Sequence, residues 1–187
     1  VLKYPEPGSK VVFKNYRNQQ KLPFVVYADF EALVVPYDGP VPEVLPKTIK
    51  LSDQHVCSFG YILVRSDGEH TEPVIYRGEN AAGVFLTEMR QLHSKVLNYL
   101  TTCQMPLVMT EEDNLNFNSS TMCWICEKPL NDRVRDHDHI TGLYRGAAHN
   151  ACNLQLRIDP KTYKLPIFFH NLKGYDSHII MRAVDES

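Results

Sequence analysis

Residues 121–153 read TMCWICEKPLNDRVRDHDHITGLYRGAAHNACN, and four side chains in that run dictate how it must fold. Cys123-Trp-Ile-Cys126 and His149-Asn-Ala-Cys152 each offer two soft or borderline metal ligands three positions apart, with 22 residues between the pairs. Two such pairs are a common layout for a tetrahedral structural zinc site, each pair seated on a tight knuckle or at a helix start. A metal there replaces the hydrophobic core that a segment of roughly 40 residues cannot build for itself. The competing reading, four ordinary buried side chains, is hard to reconcile with two paired motifs. Cys57 and Cys103 stand apart from the cluster and make the total five, an odd number. A secreted disulfide scaffold has an even, dispersed set in a shorter chain, so a metal site in a reducing compartment fits better.

Between the ligand pairs lie Val134-Arg-Asp-His-Asp-His139 and Thr141-Gly-Leu-Tyr-Arg-Gly146. Neighbours on a strand point to opposite faces, so the alternating acids and imidazoles cannot all ligate one metal. One face would carry Asp136 and Asp138, the other His137 and His139. A hard cation beside a neutral imidazole is what hydrolysis of a phosphodiester at neutral pH requires. A solvated charged turn, or extra zinc ligands, are the alternatives that spacing leaves open.

The chain has 187 residues, with 22 acidic against 20 basic side chains and 43% hydrophobic content. That length suits one compact domain, or a domain with a small insertion, and not two large ones. The net charge of −2 argues against a protein whose whole surface is a nucleic-acid footprint and leaves room for local basic faces. Residues 121–173 nevertheless carry eight Lys/Arg against five Asp/Glu, while residues 1–120 carry eleven against fourteen. The middle segment is thus the part suited to phosphates. No run approaches the roughly 20 apolar residues of a membrane span, and VLKYPEPGSK lacks the apolar core of a signal peptide.

Upstream, Leu22 to Val35 is a nearly continuous apolar and β-branched run, as expected of a strand buried on both faces. Asp29 and Glu31 interrupt it and share one face of that strand. Buried paired acids are expensive without a cation, which makes them a candidate site. A Pro-rich loop follows (Pro36, Pro40, Pro42, Pro46), then strands at His55–Arg65 and Pro73–Arg77 around the turn Ser66-Asp67-Gly68-Glu69. Val84, Phe85, Met89, Leu92, Val96 and Leu100 follow helical spacing behind a cap at Asn80. Glu111 to Ser120 is polar and reads as a linker. Leu165-Pro-Ile-Phe-Phe-His170 is a further apolar strand, broken at Gly174 and followed by a helix over Asp176–Ala183. Trp124 is expected to pack against the zinc knuckle, and His55, His70 and His93 to be surface or satisfied interior groups.

The order Cys-x-x-Cys, Arg-Asp-His-Asp-His-x-Thr-Gly-x-x-Arg-Gly, x-x-Cys-Asn over about 123–153 resembles the phage recombination endonuclease VII family of His-Me (HNH-type) nucleases. The departure is His149, where the family usually has a fourth cysteine; histidine still ligates zinc. The resemblance implies structural zinc on Cys123, Cys126, His149 and Cys152. It also implies a catalytic Mg²⁺ or Mn²⁺ on Asp136 and Asn153, with His137 as general base and His139 orienting the phosphate. Arg135 and Arg145 are candidate DNA phosphate contacts or plain surface charges.

Pro-Phe-Val-Val-Tyr-Ala-Asp29-Phe-Glu31 resembles the first exonuclease motif of family B DNA polymerases. Phe-His-Asn-Leu-Lys-Gly-Tyr-Asp176-Ser-His resembles the second. Both are most similar to the protein-primed polymerases of Polinton-type mobile elements, some of which carry an endonuclease VII-like zinc segment between these motifs. That resemblance implies Mg²⁺ on Asp29, Glu31 and Asp176 for 3′→5′ exonuclease work. The Tyr-x-x-x-Asp motif that would add a fourth acid is not in the sequence; Asp185 lies too close and lacks the Tyr.

The expected fold is mixed α+β and α/β: a partial ribonuclease H-like exonuclease domain with an inserted zinc-stapled ββα-metal (His-Me finger) segment. Residues 1–109 form its first part, 110–162 the insertion and 163–187 the second part. The expected function is a metal-dependent DNA endonuclease working from the insertion. The alternatives are the exonuclease region of a polymerase, or a non-catalytic zinc-stapled DNA-binding module. Branched or single-stranded DNA, the remainder of a polymerase, and a monomeric or weakly dimeric state are the expected partners and assembly. A zinc–thiolate site and a DNA substrate point to nucleus or cytoplasm.

Overall fold

A computed structural model of the chain describes residues 6–9, 21–40 and 49–185. Contacts divide it into two compact units, Leu22–Thr102 with Pro160–Ser187, and Cys103–Asp159 with Val1–Lys21. Among the described residues no helix is long and apolar enough to cross a membrane.

The first unit starts with β1 (Phe24–Pro36), β2 (Ser52–Arg65), β3 (Val74–Arg77) and α1 (Ala81–Thr102). It resumes with β6 (Ile167–Phe169), a π-helical turn (Leu172–Asp176) and α4 (Ser177–Asp185). Sheet order is β3-β2-β1-β6. β1 and β2 pair antiparallel from Phe24↔Arg65 to Pro36↔Ser52, with a bulge at Glu31/Ala32. β6 joins the other edge of β1 in parallel, Val26↔Ile167 through Ala28↔Phe169. A parallel neighbour needs a long crossover, and here most of the chain intervenes.

β1 corrects the expectation of a strand buried on both faces. Phe24, Val26, Ala28 and Phe30 are buried, while Tyr27, Asp29 and Glu31 between them are exposed. The helices α1 and α4 supply core contacts to one face only, so the period of two is read out as inside and outside. The buried face meets Phe59, Ala81, Phe85, Met89 and Ile179. Phe85 holds this core together, its ring centroid 4.9 Å from Phe30, 5.2 Å from Phe59 and 5.8 Å from Phe169. Such edge-on aromatic contacts add to what burial alone contributes.

The hairpin at Ser66–Glu69 forms as expected, with Arg65 donating to Asp67 and the Arg65 amide to the Glu69 carbonyl (2.8 Å). β2 begins three residues before the expected start at His55, and β6 is shorter than Leu165–His170. Of the Pro-rich loop, Pro42 and Pro46 lie outside the described residues.

The second unit contains α2 (Glu111–Ser119), β4 (Val134–His137), β5 (Tyr144–Ala148) and α3 (Asn150–Gln155). α2 stands where a linker is expected. Thr110 accepts from the Asp113 amide and Asp113 answers to the Thr110 amide, a complete capping box. Glu111, Glu112 and Asp113 fill the first turn, where carboxylates are favoured by the helix dipole. The polarity that suggests a linker is therefore that of an exposed helix with one anchor, Phe117, which is buried. Arg133 caps the other end, donating to the carbonyls of Phe117 (2.8 Å) and Asn118 (2.9 Å).

Phe85→Ala removes the ring that three other aromatic side chains share. The expected loss is about 3–5 kcal/mol of unfolding free energy, read as a lower urea midpoint at unchanged slope.

Candidate metal centre and its neighbours

Cys123, Cys126, His149 and Cys152 present one ligand atom each, all within 4.8 Å of one another. Local structure explains the convergence. The first pair sits on a tight loop closed by Glu127 N→Cys123 O (2.9 Å) and Cys123 N→Lys128 O (2.8 Å), with Glu127 in the left-handed region at φ 56°. The second pair straddles the start of α3, His149 at the cap in an extended conformation and Cys152 within the first turn. His149 Nε2 lies 2.9 Å from the Pro129 carbonyl. That bond fixes the tautomer, with Nε2–H donating, and leaves the Nδ1 lone pair free, 3.5 Å from Cys126 Sγ.

The thiols differ in acidity. Burial pushes Cys123 up, but hydrogen bonds from the amides of Cys126, His149 and Ile125 outweigh it and bring the thiol down to about 7. Burial, reinforced by the neighbouring Cys126 and Cys123, drives Cys152 up to about 12. Three thiolates cannot share so small a volume without a cation. Three soft sulfurs and one imidazole fit tetrahedral Zn²⁺.

The β4–β5 hairpin carries the remaining candidates. It pairs Val134↔Ala148, Arg135↔Ala147 and Asp136↔Gly146, then slips to His137↔Tyr144. This corrects the expectation that Asp136 and Asp138 share a face. β4 ends at His137, and Asp138 turns the chain instead, its Oδ1 accepting from the amides of Ile140 (2.8 Å) and Thr141 (3.1 Å). An acid that satisfies two turn amides does what Asp does at Asx turns. The His137 and His139 rings do meet, with centroids 4.5 Å apart. His139 is held below the ordinary histidine range, first by burial and then by the charges of His137 and Arg145, so its neutral form is favoured. Its carbonyl is fixed by the Met105 amide (2.9 Å). Gly142 turns the hairpin at φ 77°, where an added Cβ would come within 2.5 Å of the Pro106 carbonyl. Asn153 is half-buried on α3, which packs against β4.

Both candidate phosphate arginines are engaged with the protein. Arg135 lies over the Phe117 ring, its Cζ 4.1 Å from the centroid. Arg145 grips Asp136 with two bonds of 2.8 Å, Nε to Oδ2 and Nη2 to Oδ1. Sequence reasoning does not find the partner that completes this pair. The Trp124 indole N–H donates to Asp136 Oδ2 (3.1 Å), and its ring lies so close to Gly146 that an added Cβ would come within 2.6 Å. The spacing of Trp124 and the Arg145-Gly146 pair in the sequence carries no signal of that contact.

The second set of acids lies in the other unit. Asp29 and Glu31 share a face as expected, but it is the exposed one, and Asp29 Oδ1 accepts from the Phe30 amide (3.1 Å). The cost of a buried charge falls on Asp176, which is fully buried with neither carboxylate oxygen in a hydrogen bond. Burial raises its pKa above the usual carboxylate range, and the negative charge of Asp29 adds to the rise. The backbone amide of Asp176 itself, that of Phe30 and the charge of His170 act in the opposite direction without cancelling the rise. His178, the other histidine flanking this motif, lines a cavity of about 640 Å³ with His55 and Arg182. His93 is a satisfied interior group, its Nε2 3.1 Å from the Tyr163 carbonyl.

A family model described as recombination endonuclease VII matches residues 91–164, under half of the chain. The matched stretch includes the Cys₃His cluster, the β4–β5 hairpin and α3. No curated protein and no solved structure matches the chain.

Two outcomes follow from these geometries. Chelation of zinc from the full chain should abolish protease resistance within 121–156 while residues 24–36 and 52–102 keep theirs, because the former has only a few buried apolar side chains around the cluster. Mapping of cleavage sites by mass spectrometry decides this. Asp176→Asn should raise the melting temperature at neutral pH in metal-free buffer. A carboxyl raised on folding takes stability away as pH climbs from its unfolded value through its folded one, so the gain should vanish below about pH 4.

Proposed function

We propose that the segment around the Cys₃His cluster is a metal-dependent DNA endonuclease of the His-Me kind, with 110–162 inserted between the two parts of the other domain, 1–109 and 163–187. The observation that carries this reading is the endonuclease VII family match over residues 91–164, which spans the Cys₃His cluster and the hairpin bearing His137. Oxygen donors at Asp136 and Asn153 suit a hard divalent cation. When bound, Mg²⁺ or Mn²⁺ would stabilise the charge that develops on the phosphate.

The chain's own residues account for the rest. His137 stands at the end of β4, directly after the buried Asp136, and accepts the proton of a water that attacks phosphorus. The new P–O bond forms as the bond to the leaving sugar oxygen breaks, and that oxygen takes up a proton. His139, kept neutral, orients the His137 ring or the phosphate. Zinc takes no part in the chemistry. It would be held by Cys123, Cys126, His149 and Cys152 and would join the knuckle that carries Trp124 to the start of α3 that carries Asn153.

A second reading is favoured by Asp176. A buried carboxylate without a hydrogen bond, close to Asp29 and following a strand parallel to β1, supports a cation site there. Under that reading the sheet unit is ribonuclease H-like and works as a 3′→5′ exonuclease from Asp29, Glu31 and Asp176, as part of a family B polymerase. A DNA substrate, branched or single-stranded, a monomer or weak dimer, and a nuclear or cytoplasmic setting belong to the same proposal.

Cleavage of supercoiled and four-way-junction DNA in Mg²⁺ or Mn²⁺ tests both. With zinc-loaded protein, His137→Ala should lower nicking by about 10²–10⁴-fold, and Asp29→Ala should leave it unchanged. End resection lost only in Asp29→Ala would transfer the activity to the sheet unit. No cleavage by folded, zinc-loaded wild type would sink both.

A further inference from the structure

Two carboxylates are buried among the described residues, and they are treated in opposite ways. Asp176 has no hydrogen-bond partner, whereas Asp136 has three donors on its two oxygens. A carboxylate offers about four lone-pair positions. Asp136 is 1% exposed and has little room for a further ligand.

Its grip on Arg145 is built into the hairpin. The ladder steps from Asp136↔Gly146 to His137↔Tyr144, leaving Arg145 as the unmatched residue of β5. A bulge of this kind re-aims a side chain, and here it turns the guanidinium onto Asp136 in a bidentate pair. Trp124 adds the third bond from its place between two zinc ligands, and it is neutral. Arg145 is the only one of the two donor residues that carries charge. A divalent cation and a guanidinium on one buried carboxylate would repel one another at close range. A cation that uses Asp136 therefore has to displace Arg145 and can leave Trp124 where it is.

We propose that Arg145 and a divalent cation exchange at Asp136. The guanidinium neutralises the buried carboxylate until the cation takes it, and the released Arg145 becomes the group that binds the substrate phosphate. The inference rests on the endonuclease reading for the identity of that phosphate. The charge balance gives the exchange a consequence. Asp136 paired with Arg145 is neutral and offers no attraction to DNA. With the cation on Asp136 and Arg145 free, the same atoms carry a net charge of about +2 at the mouth of the site. Arg145 is already 23% exposed, so its release does not require the core to open. Cation loading and DNA binding are thereby coupled, each strengthening the other.

The test uses the full, zinc-loaded chain in a His137→Ala background, so that DNA stays whole. Mn²⁺ binding is followed by electron paramagnetic resonance, and the occupancy abolished by Asp136→Asn is the part assigned to this site. Arg145→Gln keeps a neutral donor for Asp136 and should lower the half-saturating Mn²⁺ concentration by tenfold or more. Arg145→Lys, which keeps the charge but loses the bidentate fork, should fall between the two; it decides the question if the Gln variant folds poorly. Trp124 is the chain's single tryptophan, and its emission should change in step with Mn²⁺ filling. Mn²⁺ should also tighten binding of a labelled duplex to the Arg145 protein, and Arg145→Gln should lose most of that gain. Equal Mn²⁺ affinity with and without Arg145 overturns the exchange, as does absence of any Asp136-dependent occupancy. A Mn²⁺-dependent gain in duplex binding that survives Arg145→Gln overturns the phosphate role. The endonuclease reading fails separately, if the protein with His137 intact cuts no DNA while Mn²⁺ exchange at Asp136 is still observed.

Discussion

In the Cys103–Asp159 unit the knuckle and the start of α3 are brought together where three thiols and an imidazole converge within 4.8 Å. The buried hydrophobic cluster around them consists of Cys123, Ile125, Ala148 and Leu156, and one of these is itself a ligand. So few apolar groups cannot offset the conformational entropy of ordering the segment. Metal binding at structural zinc sites contributes on the order of 10 kcal/mol or more, and zinc on this cluster would supply what burial does not. The ligands come from both ends of the segment, so closing the cluster also closes the β4–β5 hairpin between them. Pro129 takes part without touching a metal, because its carbonyl chooses which imidazole nitrogen faces the sulfurs.

From the cluster, order passes to the hairpin through Trp124. Its backbone amide bonds to the Ala147 carbonyl (3.0 Å), its ring rests on Gly146 and its N–H holds Asp136. One residue between two zinc ligands thus ties the knuckle to β5 and to the acid beside His137. α2 is fastened to the same hairpin from outside, by Arg133 at its carboxyl end, by Arg135 over Phe117 and by the edge contact of Phe117 with Tyr144. Basic side chains that a charge count assigns to a DNA face are here partly structural, because guanidinium groups stack on rings and cap carbonyls as readily as they bind phosphate.

The sheet unit has a hydrophobic core of its own. Phe30, Phe59 and Phe85 are buried in its aromatic core with Phe169 packed against them, and among the described residues its buried polar side-chain atoms without a hydrogen bond are Ser66 Oγ and the two carboxylate oxygens of Asp176. A buried carboxyl without partners is destabilising, so Asp176 lowers the stability of this unit at neutral pH. The parallel pairing of β6 with β1 sets Asp176 beside the Phe30 amide and the Asp29 carboxylate, over more than 140 residues of sequence.

The sequence by itself determined the features whose signal is local. The four ligands follow from spacing, the α1 helix from its apolar period, the Ser66–Glu69 turn from its residue types, and the succession of β1, β2 and β3 from β-branched runs. Other features depended on partners distant in the chain. Whether β1 is covered on one face or two depends on where α1 and α4 pack, and an apolar run cannot say how many layers lie above it. α2 was legible in principle from Thr110 and Asp113, but its one buried residue, Phe117, gives no period to read. The engagement of Arg145 and Trp124 with Asp136 was decided by tertiary structure alone. It depends on a one-residue slip between β4 and β5 and on a glycine small enough to admit an indole. Such contacts are set by the path of the backbone in space, which no count of residues along the chain records.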